Sequence, residues 1–399
     1  LSIVAALTPD IGRTSELARH GRFALKRECD FLDAVWRAKP GPVVPARISI
    51  IIVCHLIADT LSLISFLHRN FELEAVIPKP RSIDPTVERE LDRWGVRTVR
   101  LDREMVSRFD DDVRTLLAGR RAKQLIIIDM GGYFSRCLDH ICDELGDDLL
   151  GVVEDTENGL RKYLSLPVIP APFYSVAASA LKRPENRLVG QSLLDGIGKI
   201  VQRNCLTPAL NYYGILGFGR IGSEIADVLA RRGTRFSIFD SDPIKLVHAQ
   251  SLGYPIASRS RLLSSCGIIL CVTGNRSLRD ADLDFIKSGA ILASITSADD
   301  EFDFSKQLIG SLSPFSTNVD ELLLGEKRIF FLNGGNALNF ATDPNIGASI
   351  ALLQGEIILS IKDLMNRREL RLGCVGQISE QDQRMIAGLW IDAFMQDFQ

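Results

Sequence analysis

The chain has 399 residues, 46% apolar and 24% charged, a globular balance with length enough for two or three domains. Forty-seven Lys+Arg against 50 Asp+Glu leave a net charge of −3, which argues against a broad phosphate-binding surface and so against nucleic acid as the main partner. The most apolar stretch, 48–67, is interrupted by His55 and Asp59, which are costly inside a bilayer, so no membrane span is expected.

In chain order, residues 1–7 are apolar but short and lack the basic flank of a secretory signal. Leu17, Ala24, Leu25, Leu32 and Val35 share a face, predicting an amphipathic helix over 15–36. The Pro- and Gly-rich run 39–45 then breaks the chain. β-branched runs at Ile48–Cys54, Leu73–Ile77, Val96–Val99, Leu125–Asp129 and Leu149–Val153 alternate with helical patterns, as in βαβ units around a parallel sheet. A polar segment, Ala180–Asn186, and a helix from about Gly190 to Arg203 lead to a second series. Its strands are Tyr212–Leu216, Phe236–Phe239, Gly267–Val272, Ala290–Ile295 and Arg328–Leu332. A last long helix, about Gly347–Arg367, carries Gln354, Glu356 and Lys362 and reads as a packing helix. The expected architecture is α/β in two domains, with the second inserted in the first. Residues 1–186 would form a substrate-type domain with a parallel sheet, 187–345 a Rossmann-type domain, and 346–399 helices returning to the first.

The eight cysteines are scattered without a Cys-x-x-Cys pair, so reduced cytoplasmic thiols are expected rather than disulfides. The five histidines are dispersed, and no cluster has zinc-ligand spacing, so no metal is expected.

The run Gly217-Phe-Gly219-Arg220-Ile221-Gly222 has the spacing Gly-x-Gly-x-x-Gly, leaves an apolar strand and enters a helical run. Gly217 permits the tight turn, Gly219 lets backbone approach a pyrophosphate, and Gly222 lets helix and strand pack closely. Asp240 ends the next strand, 18 residues beyond Gly222, where it would accept from adenosine ribose hydroxyls. No Arg stands beside it for a 2′-phosphate, so the expected cofactor is NAD rather than NADP. The turns Thr273-Gly274-Asn275 and Asn333–Asn339 also follow strands. They either face the cofactor or are plain turn chemistry.

By the same strand-end rule, His55, Asp129 and the pair Glu154–Asp155 are placed to converge on one crevice for acid–base work. Each singly is equally readable as a cap or a satisfied buried group.

Several ordered segments resemble the S-adenosylhomocysteine hydrolase (adenosylhomocysteinase) family. Leu17-Ala-Arg-His-Gly-Arg-Phe-Ala-Leu is similar to that family's first helix. Cys54-His55-Leu-Ile-Ala-Asp-Thr60 resembles its Cys-Leu-His-Met-Thr-x-Glu-Thr. Asp129-Met-Gly-Gly resembles its Asp-Asp-Gly-Gly, and Glu154-Asp-Thr-Glu-Asn-Gly159 its Glu-Glu-Thr-Thr-Thr-Gly. Ser192-Leu-Leu-Asp-Gly-Ile197 is similar to Ser-Leu-Ile-Asp-Gly-Ile, and Ile291–Asp303 runs without a gap along Ile-Val-x-Asn-Ile-Gly-His-Phe-Asp-x-Glu-Ile-Asp. Asn339 falls on the Asn of Leu-Val-Asn, which the resemblance places at the nicotinamide.

The chemistry this resemblance implies is an internal redox cycle. Bound NAD oxidises a ribose 3′-hydroxyl, a base removes the acidified 4′ proton, the 5′ thiol leaves, water adds, and the hydride returns. Against that pattern the chain has no His after His248; Ser297 stands at the first family position and Ile346 near the second. Met130 replaces a carboxylate, Asp155 replaces a Glu, and Leu181-Lys-Arg-Pro-Glu-Asn186 replaces Lys-x-Lys-Phe-Asp-Asn, with Lys182 and Glu185 as substitutes. The family's Tyr-Gly-Cys cysteine and its basic, Tyr-containing tail have no counterpart at 188–191 or at the last residues. Losing several acids and bases together argues against efficient hydrolysis of adenosylhomocysteine.

The reading is therefore an NAD-dependent enzyme on a different, nucleoside-like small molecule, with His55, Asp129, Asp155, Lys182 and Glu185 as catalytic candidates, in a cytoplasmic homo-oligomer. The alternatives are a non-catalytic NAD-binding sensor or partner subunit, and a true adenosylhomocysteinase. A D-2-hydroxyacid dehydrogenase shares the two-lobed plan but needs a late His that is missing.

Overall fold

A computed structural model describes residues 19–41, 47–204, 206, 212–295, 301–335, 338, 346–366 and 372–395. The chain divides into two compact units, one of residues 1–183 with 347–399 and one of residues 184–346.

The first unit is built on a parallel five-stranded sheet. Its strands are β1 (Ile48–Leu56), β2 (Glu72–Ile83), β3 (Gln124–Asp129), β4 (Leu149–Glu154) and β5 (Phe173–Ser175), in the order β2-β1-β3-β4-β5. The central strands are apolar without alternation because both faces are covered. Ile50, Ile52, Ile126 and Ile128 pack on one side with the helices Arg19–Ala38, Leu61–Asn70 and Ile350–Met365. Ile51, Val53, Leu125 and Ile127 pack on the other with Val106, Val113, Leu138 and Tyr163. The strand order reverses direction between β1 and β3, and ligands of open α/β sheets bind beyond the carboxyl ends at such a point.

The second unit has a seven-stranded sheet ordered β12-β13-β14-β10-β8-β6-β7. Five strands are parallel: β6 (Tyr213–Leu216), β7 (Phe236–Phe239), β8 (Ile268–Cys271), β10 (Ala290–Ser294) and β14 (Lys327–Leu332). The short β9 (Leu278–Arg279) and β11 (Phe302–Asp303) pair apart, while β12 (Ser313–Ser316) and β13 (Val319–Leu324) extend the sheet antiparallel beyond β14. Here direction reverses between β6 and β8, so their carboxyl ends mark the binding point.

Two sequence expectations are corrected, and three strands are added to the two large sheets. Val96–Val99 is no strand: only Thr98 bridges to Val76, with Val76 N donating to the Arg97 carbonyl and Val99 N to the Val76 carbonyl at the sheet's edge. The helix expected from about Gly190 begins at Lys182 and runs to Arg203, so it takes in most of the polar segment Ala180–Asn186. Pro184 fits its first turn, where the missing N–H has no intrahelical acceptor. The strands β5, β12 and β13 escaped the reading because they are short or alternate weakly.

Among the described residues no helix is long and apolar enough to cross a membrane, and no three His, Cys, Asp or Glu gather as a metal site.

Candidate functional site

The glycine loop sits at the β6–β8 switch point. Gly217 has φ +106°, and a Cβ there would stand 2.8 Å from the Val272 carbonyl oxygen. Gly222 packs so tightly that a Cβ would meet the Gly217 carbonyl oxygen at 2.1 Å, whereas at Gly219 it would meet nothing within 4 Å. That is a closed turn with open ground above its middle glycine. Arg220, Ile221 and Gly222 begin the helix Arg220–Arg231, whose first N–H groups lack intrahelical acceptors and attract an anion.

Asp240 follows β7, is 8% exposed, and is oriented by two backbone donors: Phe218 N to Oδ2 at 2.7 Å and Asp242 N to Oδ1 at 2.9 Å. Each carboxylate oxygen keeps a second lone pair for a ribose hydroxyl. Lys245 Nζ lies 3.6 Å from Oδ2. The open cradle, the helix start and the oriented carboxylate fit a dinucleotide.

Thr273 and Gly274 adjoin this loop, since the added Gly217 Cβ would also touch Thr273 Cγ2 at 3.0 Å. Glu301, which the sequence reading did not single out, fixes them: it accepts from Thr273 Oγ1 at 2.8 Å and Gly274 N at 2.7 Å. Thr273 Oγ1 in turn accepts from Asn275 N at 3.0 Å. Glu301 is fully buried. Its signal in the sequence was its place in the run Ile291–Asp303, where it falls on the Glu of the resembling segment. Asn339 and Ser297 lie outside the described residues.

In the first unit His55 ends β1 at the β1–β3 reversal. Its Nδ1 lies 2.8 Å from Ser82 Oγ, and Ser82 Oγ donates to the Lys79 carbonyl at 3.0 Å. Because that hydroxyl has one hydrogen, Nδ1 is the donor to Ser82 and Nε2 carries the lone pair. Burial, reinforced by the Lys79 cation, holds the imidazole well below its ordinary value, so it is neutral at pH 7.

Asp129 and Glu154 are fully buried and bind backbone. Asp129 accepts from Tyr133 N and Phe134 N, each at 2.9 Å, and from Tyr163 Oη at 2.6 Å. Glu154 accepts from Gly131 N, Gly132 N, Thr156 N and Thr156 Oγ1 at 2.6–3.2 Å. The two acids thus hold the Gly131–Gly132 turn. Gly159 is required beside them, since a Cβ would lie 1.9 Å from Glu154 Oε2. Burial first, then the Asp129 charge, pushes Glu154 up to about 8, and burial raises Asp129 as well.

Asp155 and Lys182 form a nearly buried ion pair, Nζ to Oδ1 at 2.8 Å, with Nζ also donating to the Asp155 carbonyl at 3.0 Å. Glu185 lies one turn along the same helix, in the part assigned to the second unit.

Residues 189–345 match the family model described as S-adenosyl-L-homocysteine hydrolase, NAD binding domain. Adenosylhomocysteinase of Corynebacterium diphtheriae is 27% identical over 205 residues, 49% of this chain and 42% of that protein. S-inosyl-L-homocysteine hydrolase of Methanococcus maripaludis is 28% identical over 224 residues, 54% of this chain and 53% of that protein. Adenosylhomocysteinase of Sulfurisphaera tokodaii is 26% identical over 313 residues, 76% and 73% of the two. The matched stretch thus spans about half the length of the first two relatives. The glycine loop lies inside the matched domain, NAD is its cofactor, and the chain is similar to the S-adenosylhomocysteine hydrolase family.

Proposed function

We propose that this chain is an NAD-dependent enzyme that transiently oxidises a hydroxyl of a sugar or nucleoside, on a substrate other than S-adenosylhomocysteine or less efficiently on that one. NAD, when bound, supplies the two-electron acceptor for an alcohol carbon. Gly217, Gly219 and the helix start at Arg220–Gly222 hold its pyrophosphate, Asp240 its ribose, and the Thr273–Asn275 turn borders it.

The observation that carries the reading is His55. A neutral imidazole with its lone pair fixed on Nε2, at a strand-order reversal, is equipped to take a proton. Lys182, steadied by Asp155, offers a donor to an oxygen on which negative charge develops. Asp129, by contrast, is committed to its turn and takes no proton-transfer step in this reading, and Glu185 is given none. The relative named for S-inosyl-L-homocysteine supports a family in which the substrate's base can change.

Purified protein, incubated with NAD and a panel of nucleosides and sugars, should develop NADH absorbance or product. His55→Ala should lower that rate by roughly 10²–10⁴-fold. A broad panel giving neither signal overturns the proposal.

Met130 favours a second reading, an NAD-binding sensor or partner subunit. It is an apolar side chain, 7% exposed, where the resemblance has a carboxylate. That reading expects NAD binding without turnover and a change in subunit association, which native mass spectrometry with and without NAD reads directly. The same spectra test the homo-oligomer expected of either.

A further inference from the structure

The turn after β3 gathers cations from three separate elements of the first unit. Lys79 comes from β2, Arg103 from the start of the helix Arg103–Arg108, and Lys162 from the helix Glu157–Leu164. Gly131 has φ +116°, and a Cβ built on it would stand 3.2 Å from Lys79 Nζ and 3.8 Å from Arg103 Nη2. An ammonium and a guanidinium thus lie within 4 Å of one point, which a glycine leaves open. Lys162 Nζ donates to the Gly131 carbonyl at 3.1 Å and so brings a third cation to the same residue. All three side chains are half-buried.

Like charges repel more strongly where protein displaces water, and an anion seated among them offsets that repulsion. The acids of the turn are engaged with other donors. Asp129 accepts from Tyr133 N, Phe134 N and Tyr163 Oη, and Glu154 from the Gly131, Gly132 and Thr156 amides. Met130, beside Gly131, brings no charge.

We propose that the Gly131 turn seats an oxyanion, a phosphate or carboxylate group of the substrate, held by Lys79, Arg103 and Lys162. An ammonium has three donors and a guanidinium five, so an oxyanion shares them with protein groups. Arg103 presents a planar fork to two oxygens at once, and its guanidinium carbon lies over the Tyr133 ring, 5.1 Å from the centroid. The two lysines add point charges. Lys79 also ties the seat to His55: its carbonyl accepts from Ser82 Oγ, the group to which His55 Nδ1 donates, and its cation helps keep that imidazole neutral. The substrate class is therefore a nucleoside or sugar that carries a phosphate ester or a carboxylate, anchored beside the proton acceptor. In naming a substrate this rests on the function proposed above; the anion seat itself does not.

Calorimetry on the full chain saturated with NAD, which occupies the glycine loop, tests the seat with inorganic phosphate and, separately, with acetate. One of these anions should bind saturably, and the tighter names the group the substrate carries. Lys79→Met and Arg103→Met should each weaken that binding by roughly tenfold or more. They lie on different elements, so one decides the matter if the other does not fold. Lys123→Met removes an exposed cation at the opposite end of β3 and should leave binding unchanged. No saturable heat from either anion, or binding that both test variants leave unaltered, overturns the proposal. Anion binding as expected, with no turnover of any nucleoside or sugar, would keep the seat and remove the function proposed above. Turnover of neutral nucleosides without anion binding would do the reverse.

Discussion

At Asp240 the difference between a turn residue and a ligand-binding one comes down to which lone pairs are used. Two backbone donors orient the carboxylate and leave it capacity for two ribose hydroxyls. Hydrogen bonds to a charged group are worth about 1.5–3 kcal/mol each, so losing even one of them in Asp240→Ala should weaken NAD binding by at least roughly 10–100-fold in calorimetry. Lys245, 3.6 Å away, would then lose its partner and favour a 2′-phosphate, so the preference for NAD over NADP should narrow in the same variant. An unchanged Kd for both nucleotides would contradict this placement. Asp240 was legible in the sequence because a fixed spacing joins it to the three glycines. Glu301 stood within the resembling run Ile291–Asp303 but its role was not legible, because its contact with Thr273 and Gly274 is made across β10 and a loop.

The turn after β3 shows how an element can carry acidic residues that are spent on backbone. Asp129 gathers Tyr133 N, Phe134 N and the Tyr163 hydroxyl, and Glu154 gathers the Gly131 and Gly132 amides. Truncating Asp129 to Ala would leave three buried donors unsatisfied, at about 1–3 kcal/mol each. Urea unfolding should therefore show a loss of about 3 kcal/mol or more for Asp129→Ala and a smaller loss for Asp129→Asn, which keeps one acceptor. A loss under about 1 kcal/mol would free Asp129 for another role. From the sequence, Asp129 and Glu154 were visible as polar groups at strand ends, and the strand-end rule cannot separate a ligand group from a brace. The distinction lies in donor counts that only the three-dimensional turn supplies. The helix from Lys182 was hidden for a related reason: Pro184 and its polar neighbours imitate a linker until the first turn's unused amides are considered.

At the scale of the whole molecule, the buried titratable groups set how stability varies with pH. Glu28 and Glu356 are pushed up to about 7 and Glu154 to about 8 by burial, from 4.5. Above pH 4.5 the unfolded chain releases these protons while the folded chain keeps them, so each acid makes stability fall with rising pH, by about 1.4 kcal/mol per unit. His55 and His68 act the other way. Burial lowers both from 6.5, so below that pH the unfolded chain binds the extra protons and stability rises with pH. Asp227, which Arg187 and Arg231 hold below 3.8 against its own desolvation, has completed its contribution before this window opens. Burial raises Asp129 too, so the two histidines offset only part of the four acids up to about 6.5, and the acids act alone from there to about 8. Unfolding free energy measured across this range should fall gently up to about 6.5 and more steeply beyond it, levelling again above about 8. Glu356→Gln and Glu28→Gln should each make the fall shallower by one group, and His55→Ala should steepen the decline below 6.5 without altering it above. Stability that instead rises steadily through neutrality would mean the three glutamates are ionised in the folded chain, with counter-ions that the buried arrangement does not provide.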